Sequence, residues 1–545
     1  MIKSLYCLLL TLLPALSFAQ NSLNINGIIS WKDLLTRTES LGDELYFTQE
    51  FLSENADQTP FFVDQKVLKK YVTVNGYRFS AQEVTNCPEN LFSNEIKRNL
   101  SDDWQVSAEA FKGDDRFYLV VKVLPLRMRN GAIERLTSFS IDFDTQESTF
   151  SNNRTLSFAE HSVLSEGSWY KIAIARDGVY RIDKNLLTTL GVNVDELNPA
   201  SINIYGNGGT LLPEENSLFR YDDLQKNAIY IEGEQDGTFN NNDFILFYGK
   251  GADSWNLAGT GANQTWEHEK HFYSDSAYYF IRIDDTDPLR IANQTAPSQP
   301  STQTATTFQD FQFIENDLYN INKSGREFFG DAFEVNTSAN YTFSFPNMTT
   351  DPARFDYSVA VRSIGGASNF TFNVGGSPIS TLTSPVSDNT TSAVADLEQA
   401  GLTFTPSGSA VTVGVNFQKF NSESQGWIDY LRVGAVRNLA MTGNQMRFRD
   451  ARLVSAGSIT EFQMTSANNV ATIWDVTNPI QPEKVSFTPG AAINWKSETS
   501  TLREFIAFAN AGYLTPVARG SVTNQDLHAL SNIDYVIVTA PGHTS

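Results

Sequence analysis

Alternation of apolar and polar residues through residues 341–435 is the feature that most constrains how this chain can fold. The segments "YTFSFP", "FDYSVAVRS", "NFTFNVGG", "LTFTPSGSAVTVGVNF" and "GWIDYLRVGA" are separated by Gly, Ser, Asn and Pro. Successive side chains on a β-strand point to opposite faces, so a period of two indicates half-buried strands rather than helices. Several short strands with such turns predict a jelly-roll-like β-sandwich over residues 301–440.

Earlier segments also indicate antiparallel β structure. Asn130-Gly131 lies between two apolar runs and predicts a tight hairpin, and Asn75-Gly76 and Asp177-Gly178 predict further turns of this kind. The segment "DKNLLTTLGV" predicts a short helix that Asp183 caps at its start and Gly191 at its end. A polar stretch at residues 290–310, rich in Ser, Thr, Pro and Gln, is typical of a linker or long loop.

The last residues of the sequence, "IDYVIVTAPGHTS", predict a different kind of structure. Residues 536–538 are a continuous β-branched run before a Pro-Gly pair, which is typical of a buried parallel strand. The preceding segment "STLREFIAFAN" has helical character. The pattern therefore changes from β to α/β, and residues 531–545 are expected to be the first strand of a truncated α/β domain.

The signals together predict a mainly β protein built from several antiparallel domains. The predicted parts are a signal peptide at 1–19, an N-terminal β domain at 20–155, a β domain at 156–300, the β-sandwich at 301–440, a β region at 441–530 and the truncated α/β start at 531–545. Lys3, a short apolar stretch and the small residues Ser17 and Ala19 predict export. The apolar stretch is too short for a membrane helix.

The charge balance and the cysteine count limit the function further. The formal net charge is −22 at pH 7, whereas binding to nucleic acid or to an anionic membrane surface needs a basic footprint. Cys7 lies in the predicted signal peptide, which leaves Cys87 as the one cysteine of the mature chain, so no internal disulfide is expected. Cys87 has no histidine adjacent to it in sequence and is interpreted as a semi-buried structural thiol.

The strongest candidate site is a predicted calcium loop in "IEGEQDGTFNNNDFILFYG". Oxygen-bearing side chains there follow the spacing of a twelve-residue calcium loop, with Gly237 at the sharp turn and Phe239 at the apolar position. The Glu and Asp positions depart from the EF-hand pattern, and the alternative is a hairpin loop with solvated carboxylates. The candidate ligands are Glu232, Glu234, Asp236, Asn240 and Asp243.

The other polar motifs do not assemble an active site. The glycine-rich run at 206–209 resembles a dinucleotide-binding loop, but Leu211 replaces its third glycine, so it is interpreted as a turn. His268 and His271 have no third ligand of metalloprotease type nearby and are assigned surface or packing roles. His543 follows the predicted final strand alone. No catalytic residue is therefore predicted in the chain.

Several segments, taken in order, resemble the sortases of the type IX secretion system, which belong to the gingipain-like cysteine peptidase family. The likeness runs from about residue 100 to the end, and "SGREFFGD" (324–331) and "IWDVTNP" (473–479) are its most specific parts. The other segments are "SVLSEGSWYKIAIARDGVYRID", "INIYGNGGTLLPEEN", "NNNDFILFYGKGADSW", "GWIDYLRV" and "NQDLHALSNIDYVIVTAP".

This resemblance implies that the chain is the N-terminal, non-catalytic portion of a larger enzyme. In the family, "IDYVIVT" resembles the first strand of a caspase-like peptidase domain, and the catalytic His and Cys lie downstream of it. The implied reaction is removal of the C-terminal signal domain of exported cargo, with transfer to water or to an amine of surface lipopolysaccharide. The implied partners are translocon and shuttle proteins at the outer membrane and cell surface of a Gram-negative bacterium.

Two other interpretations remain open at this stage. The chain could belong to a secreted gingipain-like protease that is itself cargo, or to a non-catalytic surface protein whose β-sandwich binds glycan or protein. Coding sequence beyond Ser545 would separate both enzymes from the binding protein. Attachment to the translocon, as opposed to release into the medium, would separate the sortase from the secreted protease.

Overall fold

The structure is a computed structural model, and it divides the chain into two compact units, Met1–Ser157 and Phe158–Ser545. The predicted signal peptide, most of the predicted final strand and His543 lie outside the described residues. The residues that the structure describes are 21–29, 52–54, 60–70, 72–87, 100–113, 116–129, 131–147, 159–214, 219–258, 264–323, 326–388, 393–531, 533 and 538–539.

The described part of the first unit contains two antiparallel sheets. Its strands are β1 (Asn21–Ile28), β2 (Leu52–Glu54), β3 (Pro60–Leu68), β4 (Val72–Cys87), β5 (Val106–Gly113), β6 (Arg116–Val123), β7 (Leu126–Arg129) and β8 (Ala132–Glu147). One sheet has the order β1-β8-β4, with β7 also paired to β8, and the other has the order β2-β3-β6-β5. Buried side chains such as Val121 on β6 and Phe139 on β8 form a common core.

Of the two Asn-Gly turns predicted in this unit, one is confirmed and one is wrong. β7 and β8 pair antiparallel on either side of residues 130–131, with Met128 opposite Ile133. Asn75-Gly76 instead lies inside the continuous strand β4, where the pairing with β8 shifts between Val74 and Gly76. The turn signal produces a β-bulge there, because pairing with the long strand β8 keeps the chain extended.

The second unit begins with short strands around one helix. The elements up to residue 305 are β9 (Trp169–Ile174), β10 (Gly178–Asp183), α1 (Lys184–Leu190), β11 (Asn203–Tyr205), β12 (Lys226–Asn227), β13 (Tyr230–Glu232), β14 (Phe244–Gly249), β15 (Ser254–Ala258), β16 (Thr265–Glu269), β17 (Ala277–Arg282), β18 (Ala292–Asn293) and β19 (Gln303–Ala305). Short 3₁₀ turns lie at Val163–Ser165, Val194–Glu196, Pro199–Ser201, Glu234–Asp236 and Ala451–Leu453.

Longer strands make up the rest of the second unit. They are β20 (Thr307–Glu315), β21 (Ala332–Phe333), β22 (Ser338–Ser344), β23 (Ala353–Arg362), β24 (Asn369–Val374), β25 (Ser377–Leu382), β26 (Asp396–Phe404), β27 (Ala410–Gln418), β28 (Gln425–Asn438), β29 (Gln445–Arg449), β30 (Ile459–Met464), β31 (Thr472–Asp475), β32 (Glu483–Lys484), β33 (Ile493–Glu498), β34 (Glu504–Phe508) and β35 (Val517–Val522). The chain is therefore mainly β, as predicted.

The predicted helix is confirmed with both of its caps. The Asp183 carboxylate accepts a hydrogen bond from the backbone N–H of Leu186 at 3.0 Å, which satisfies a donor that the first turn leaves free. Gly191 ends α1 in the left-handed region, at a φ of +93°. Leu187 and Leu190 are buried on the inner face of the helix.

The hairpin predicted at Asp177-Gly178 is wrong, because the two strands that it joins belong to different sheets. β9 lies in the sheet β12-β11-β17-β9-β35, whereas β10 lies in the sheet β10-β14-β13. The chain turns a corner at this point, and the inner faces of the two sheets meet in one core. Ile172 from the first sheet and Ile182 and Phe247 from the second are buried there.

Eight strands form the predicted sandwich. The sheet order β20-β28-β23-β26 faces the order β22-β27-β24-β25. Numbered along the chain without the short β21, these orders are 1-8-3-6 and 2-7-4-5, which is the jelly-roll arrangement. The core between the sheets is aromatic, and the ring centroids of Tyr357 and Phe372 lie 4.0 Å apart. The alternation in the sequence therefore predicted both the strands and the architecture.

The region after the sandwich extends one of its sheets. β29, β34, β31 and β32 follow the β20 edge in order, and the segment "STLREFIAFAN", interpreted as helical, forms β34. Phe505, Ile506 and Ala507 are all buried, because both faces of this strand are covered, and such a strand loses the period of two. Residues 290–310, interpreted as a linker, contain β18 and β19, which pair with β32 and β30. The domain boundaries inside this unit stay predictions.

We expect Phe372→Ala to lower the free energy of unfolding of the second unit by about 3–5 kcal/mol, because the fully buried ring leaves a cavity. Thr371→Ala, on the outer face of the same strand β24, is the matched control, and its effect should stay within about 0.5 kcal/mol. Urea unfolding followed by tryptophan fluorescence measures both. Equal effects of the two substitutions would contradict the assignment of the inner face.

Candidate functional site

The predicted calcium loop lies where the sequence places it, between two strands. β13 and β14 pair antiparallel, with Glu232 opposite Phe244. Gly233 and Gly237 both have positive φ, at +84° and +76°, so they provide the sharp turns that the chain makes here. Phe239 is buried beneath the loop, as its position in the pattern requires. The backbone therefore makes a sharp loop between two strands, as the sequence pattern predicts.

Glu234, the second candidate ligand, is held by an arginine from a distant segment. Oε1 of Glu234 accepts from Nε of Arg290 at 2.8 Å and from Nη2 at 2.6 Å. The same guanidinium donates to the carbonyl oxygens of Ile202 and Pro199 at 3.1 and 3.2 Å. A calcium ion on this carboxylate would have to lie next to a fixed positive charge, which opposes its binding.

The other carboxylates of the loop are engaged within the hairpin. Asp236 accepts from the backbone N–H and from the hydroxyl of Thr238, each at 3.0 Å, and these bonds hold the pKa of Asp236 below its ordinary value. The buried Asp243 accepts from the backbone N–H of Asn240 at 2.6 Å. The carboxylate of Glu232 accepts from a tyrosine hydroxyl, that of Tyr230.

The five predicted ligands thus share a loop without converging on one point. Among the described residues, no group of three or more His, Cys, Asp or Glu side chains is arranged to hold a metal ion. The geometry favours the alternative of a hydrogen-bonded hairpin loop, and the calcium site stays a prediction.

We expect the melting temperature of the chain to be the same in millimolar calcium and in excess chelator, because Arg290 already neutralises Glu234. Differential scanning calorimetry of the wild type and of Asp236→Asn provides the measurement. A melting temperature that rises with calcium in the wild type and not in Asp236→Asn would instead establish a calcium site.

The remaining sequence candidates have structural roles. Nε2 of His268 lies 2.6 Å from Oε2 of Glu315, and its ring stacks on Phe313 with centroids 4.1 Å apart. Nδ1 of His271 accepts from the backbone N–H groups of two residues in the turn after β16, Tyr273 at 3.1 Å and Ser274 at 3.0 Å. The two imidazoles therefore have separate partners and do not form a ligand pair.

Cys87 and the glycine-rich run also have a packing explanation. Cys87 is buried in the first unit, in a cluster with Leu100 and Leu126. A Cβ atom on Gly206 would lie 2.5 Å from the ring of Tyr279, and one on Gly209 would lie 2.3 Å from Cβ of Ala277. These two glycines are needed for close packing after β11, so the run is a tight connection rather than a phosphate-binding loop.

A cavity of about 250 Å³ lies beside the "SGREFFGD" segment. Its walls combine two aromatic rings with side chains of both charges. Nζ of Lys270 donates to Oδ2 of Asp317 at 2.6 Å, and the guanidinium of Arg326 lies over the ring of Phe272. The lining residues are Lys270, Phe272, Glu315, Asp317, Arg326, Glu327, Phe328 and Asp429. These residues come from segments far apart in sequence, so sequence reasoning missed the cavity.

Asp429 is the most perturbed acid of this cavity. Burial and, to a smaller extent, the nearby negative charges of Glu315 and Glu327 together raise the pKa of Asp429 to about 6. The sequence contains one sign of this site, a single charged residue in the apolar strand "GWIDYLRV". Because the folded pKa is the higher one, Asp429 costs no stability below about pH 4, destabilises the fold increasingly as pH rises from about 4 to about 6, and costs a constant amount above that range.

We expect Asp429→Asn to stabilise the protein at pH 8, by up to about 3 kcal/mol, and to have little effect at pH 4. Thermal melts across this pH range measure the difference from wild type. Asp388→Asn is the control, because that carboxylate is exposed and forms only a surface ion pair with Arg362. A difference for Asp429→Asn that does not change with pH would show that folding does not raise the pKa of Asp429.

In the part of the chain that the structure describes, no helix has both the length and the apolar character to cross a bilayer. No family model matches the chain, and the search of the curated proteins finds no match.

The described part of the chain is a mainly β structure of several antiparallel sheets, two of which form a jelly-roll sandwich. Its fold is similar to that of dimeric latent PorU from Porphyromonas gingivalis, with a TM-score of 0.59 and 20% sequence identity. The match covers 68% of this chain and 34% of the PorU chain, so this chain spans about a third of that protein. At 20% sequence identity, this structural similarity shows that the chain has a PorU-like fold.

Other solved structures match much less well. The CBM36-1 domain of a xylanase from the hindgut metagenome of Trinervitermes trinervoides has a TM-score of 0.15 and 15% identity, over 24% of this chain and 94% of that one. The VP2 subviral particle protein of infectious bursal disease virus has a TM-score of 0.15 and 11% identity, over 83% of this chain and 86% of that one. Neither similarity is large enough to support an argument about function.

Proposed function

We propose that this chain is the N-terminal, non-catalytic portion of a type IX secretion system sortase of PorU type, a gingipain-like cysteine endopeptidase. The observation that carries the proposal is the PorU-like fold over 68% of the chain. The sequence segments that resemble the sortase family support the proposal separately, because that resemblance rests on the residues themselves and not on the fold.

Residues within the two most specific segments connect neighbouring parts of the fold through packing and hydrogen bonds. In the first, Phe329 is buried, the backbone N–H of Gly330 donates to the carbonyl of Ile428 at 2.6 Å, and Asp331 accepts from the hydroxyl of Tyr341 at 2.6 Å. This segment therefore fastens a loop to β28 and β22. Such a role fits a supporting scaffold rather than a reaction centre.

The second segment, "IWDVTNP", ties β31 to its surroundings in a similar way. The buried Asp475 accepts from the backbone N–H of Thr477 at 3.0 Å and from the side-chain amide of Gln294 at 2.7 Å. These hydrogen bonds satisfy the buried carboxylate, and they fix the neighbouring chain segments relative to β31.

Within the proposal, the chemistry belongs to an α/β peptidase domain downstream of residue 530. A Cys thiolate there would attack the scissile carbonyl of the cargo, and a His would protonate the leaving amine. Water or an amine of surface lipopolysaccharide would then release the acyl group. The proposed partners are cargo with C-terminal signal domains and the translocon and shuttle proteins at the outer membrane.

Exposed apolar side chains close to residue 530 support an adjoining domain. Leu527 is 66% exposed, Leu530 57%, Ile533 52% and Val538 93%. An adjoining packed element would stabilise these four side chains by covering them.

A non-catalytic surface binding protein is the second candidate, and one observation favours it. The outer face of β22, β27 and β24 carries uncharged polar side chains, among them Asn340, Thr342, Thr412, Asn416 and Thr371, on a chain of net charge −22. A neutral face rich in hydroxyl and amide groups suits a neutral polar partner. The PorU-like fold of this chain supports a secreted gingipain-like protease as much as it supports a sortase.

The test is cleavage of a cargo protein that carries a C-terminal signal domain. We expect the chain of residues 20–545 to leave this cargo intact and a parent protein with the downstream domain to remove the signal domain, unless the parent's nucleophilic cysteine is replaced by alanine. Copurification of the parent with the translocon would distinguish the sortase from a secreted protease. A parent without any peptidase activity would favour the surface binding protein.

A further inference from the structure

The segment 524–530, which follows β35, lies against the first residues of the second unit. The backbone N–H of Gln525 donates to the carbonyl of Leu164 at 3.0 Å. The side-chain amide of Asn524 donates to the carbonyls of Leu164 and Gly167 at 3.1 and 3.0 Å. These neutral hydrogen bonds fix the start of the segment independently of pH.

The middle of the segment is held by a histidine–aspartate pair. Oδ2 of Asp526 lies 2.7 Å from Nδ1 of His161, and Oδ1 of the same carboxylate accepts from the backbone N–H of Ser162 at 2.7 Å. The backbone N–H of His528 donates back to the hydroxyl of Ser162 at 3.2 Å. Asp526 thus bridges an imidazole and a backbone N–H on the opposite segment.

The second histidine lies between two further carboxylates. Nε2 of His528 is 3.6 Å from Oδ1 of Asp222, and Nδ1 is 3.4 Å from Oδ2 of Asp223. Nδ1 is buried and makes no hydrogen bond. Asp222 and Asp223 are themselves fixed by the backbone N–H groups of Ala159 at 2.7 Å and Val163 at 2.6 Å. His528 therefore lies against two carboxylates whose positions are fixed by the backbone.

We propose that the pair of His161 and Asp526 forms a proton-operated clasp that ties the segment 524–530 to residues 159–163. Protonation of His161 turns its contact with Asp526 into an ion pair, whereas His528, on the same segment as Asp526, packs between Asp222 and Asp223. Deprotonation of His161 leaves Asp526 facing a neutral ring. The clasp is therefore tight in mildly acidic conditions and loosens as pH rises.

The pKa of His161 agrees with this direction. The hydrogen bond and the negative charge of Asp526 raise the pKa of His161 above its ordinary value of 6.5, and the charge of Glu160 adds to the effect. The hydrogen bond from His161 in turn lowers the pKa of Asp526. A histidine with a raised folded pKa contributes its full stabilisation below 6.5 and loses it as pH rises through the raised value. The clasp accordingly loosens as pH rises above the ordinary histidine pKa of 6.5.

The position of the clasp gives it a consequence for the parent enzyme. The residues that follow it are those predicted to begin the α/β peptidase domain, so the clasp would fix the direction in which the chain enters that domain. This consequence rests on the proposed function, whereas the clasp itself depends only on residues of the present chain.

Hydrogen–deuterium exchange of peptides covering residues 523–531 tests the clasp in the full chain at pH 5.5 and pH 7.5. At each pH the wild type is compared with His161→Gln, so that the intrinsic pH dependence of exchange cancels. We expect the wild type to exchange about two- to fivefold more slowly than the variant at pH 5.5, as an exposed ion pair allows, and the ratio to fall toward one at pH 7.5.

Two further variants make the result specific. Asp526→Asn keeps an acceptor for the backbone N–H of Ser162 and removes the charge, so it should lose the pH dependence and keep part of the protection. His271→Asn is the matched control, because an asparagine oxygen can replace the acceptor that His271 provides in its turn, and it should behave like the wild type. A wild-type ratio that is the same at both pH values would overturn the proposal, and would leave the peptidase assignment untouched.

Discussion

The pairing of β28 with strands on both of its sides is the interaction on which the second unit depends. This fourteen-residue strand pairs with β20 along one edge and with β23 along the other, and it also carries the short β21. Its neighbours approach so closely that a Cβ atom on Gly434 would lie 2.9 Å from the ring of Phe311. Gly426 is equally restricted, because its Cβ would lie 2.7 Å from the ring of Phe370. Both glycines are needed where aromatic rings cross the strand.

The charges on β28 have partners that the surrounding strands provide. The buried Arg437 donates to Oδ2 of Asp310 at 2.7 Å and to the carbonyl of Pro346 at 2.7 Å. Burial of a guanidinium without such partners would be strongly unfavourable, so each of these bonds also fixes the register of the sheet. Asp429 differs because burial, together with the nearby carboxylates, disfavours its ionised form and raises its pKa. The same strand therefore contains one buried charge with good partners and one acid whose surroundings favour the neutral form.

The spacing of apolar residues along the chain predicted those strands and helices that bury only one of their faces. The jelly roll and the caps of α1 follow from patterns within a few residues, so they were read correctly from the sequence. β34 was mistaken for a helix because it is covered on both faces, and Asp177-Gly178 was mistaken for a hairpin because the strands it joins find other partners. Pairings such as β35 with β9, and β18 with β32, join segments that are distant along the chain, and no local pattern specifies them.

The same limit explains the outcome at the candidate sites. The spacing of oxygen ligands correctly placed a sharp loop between β13 and β14, but it could not show that Arg290, 56 residues away, reaches Glu234. His161 and Asp526 are separated by 365 residues, and only the return of the chain through β35 brings them together. A single residue can hint at such a site, as Asp429 does in an apolar strand, whereas its partners become visible only in three dimensions.

The adjacency of β9 and β35 also determines how the second unit would respond to a pulling force. Trp169 at the start of β9 is paired with Val522 at the end of β35, so both ends of this strand pair lie at the same edge of the sheet. Tension applied to the chain before residue 169 and after residue 522 would peel the two strands apart one hydrogen bond at a time, instead of shearing all of them together. Mechanical resistance at this edge would then come from the contacts outside the strands, which are those between residues 159–167 and 524–528.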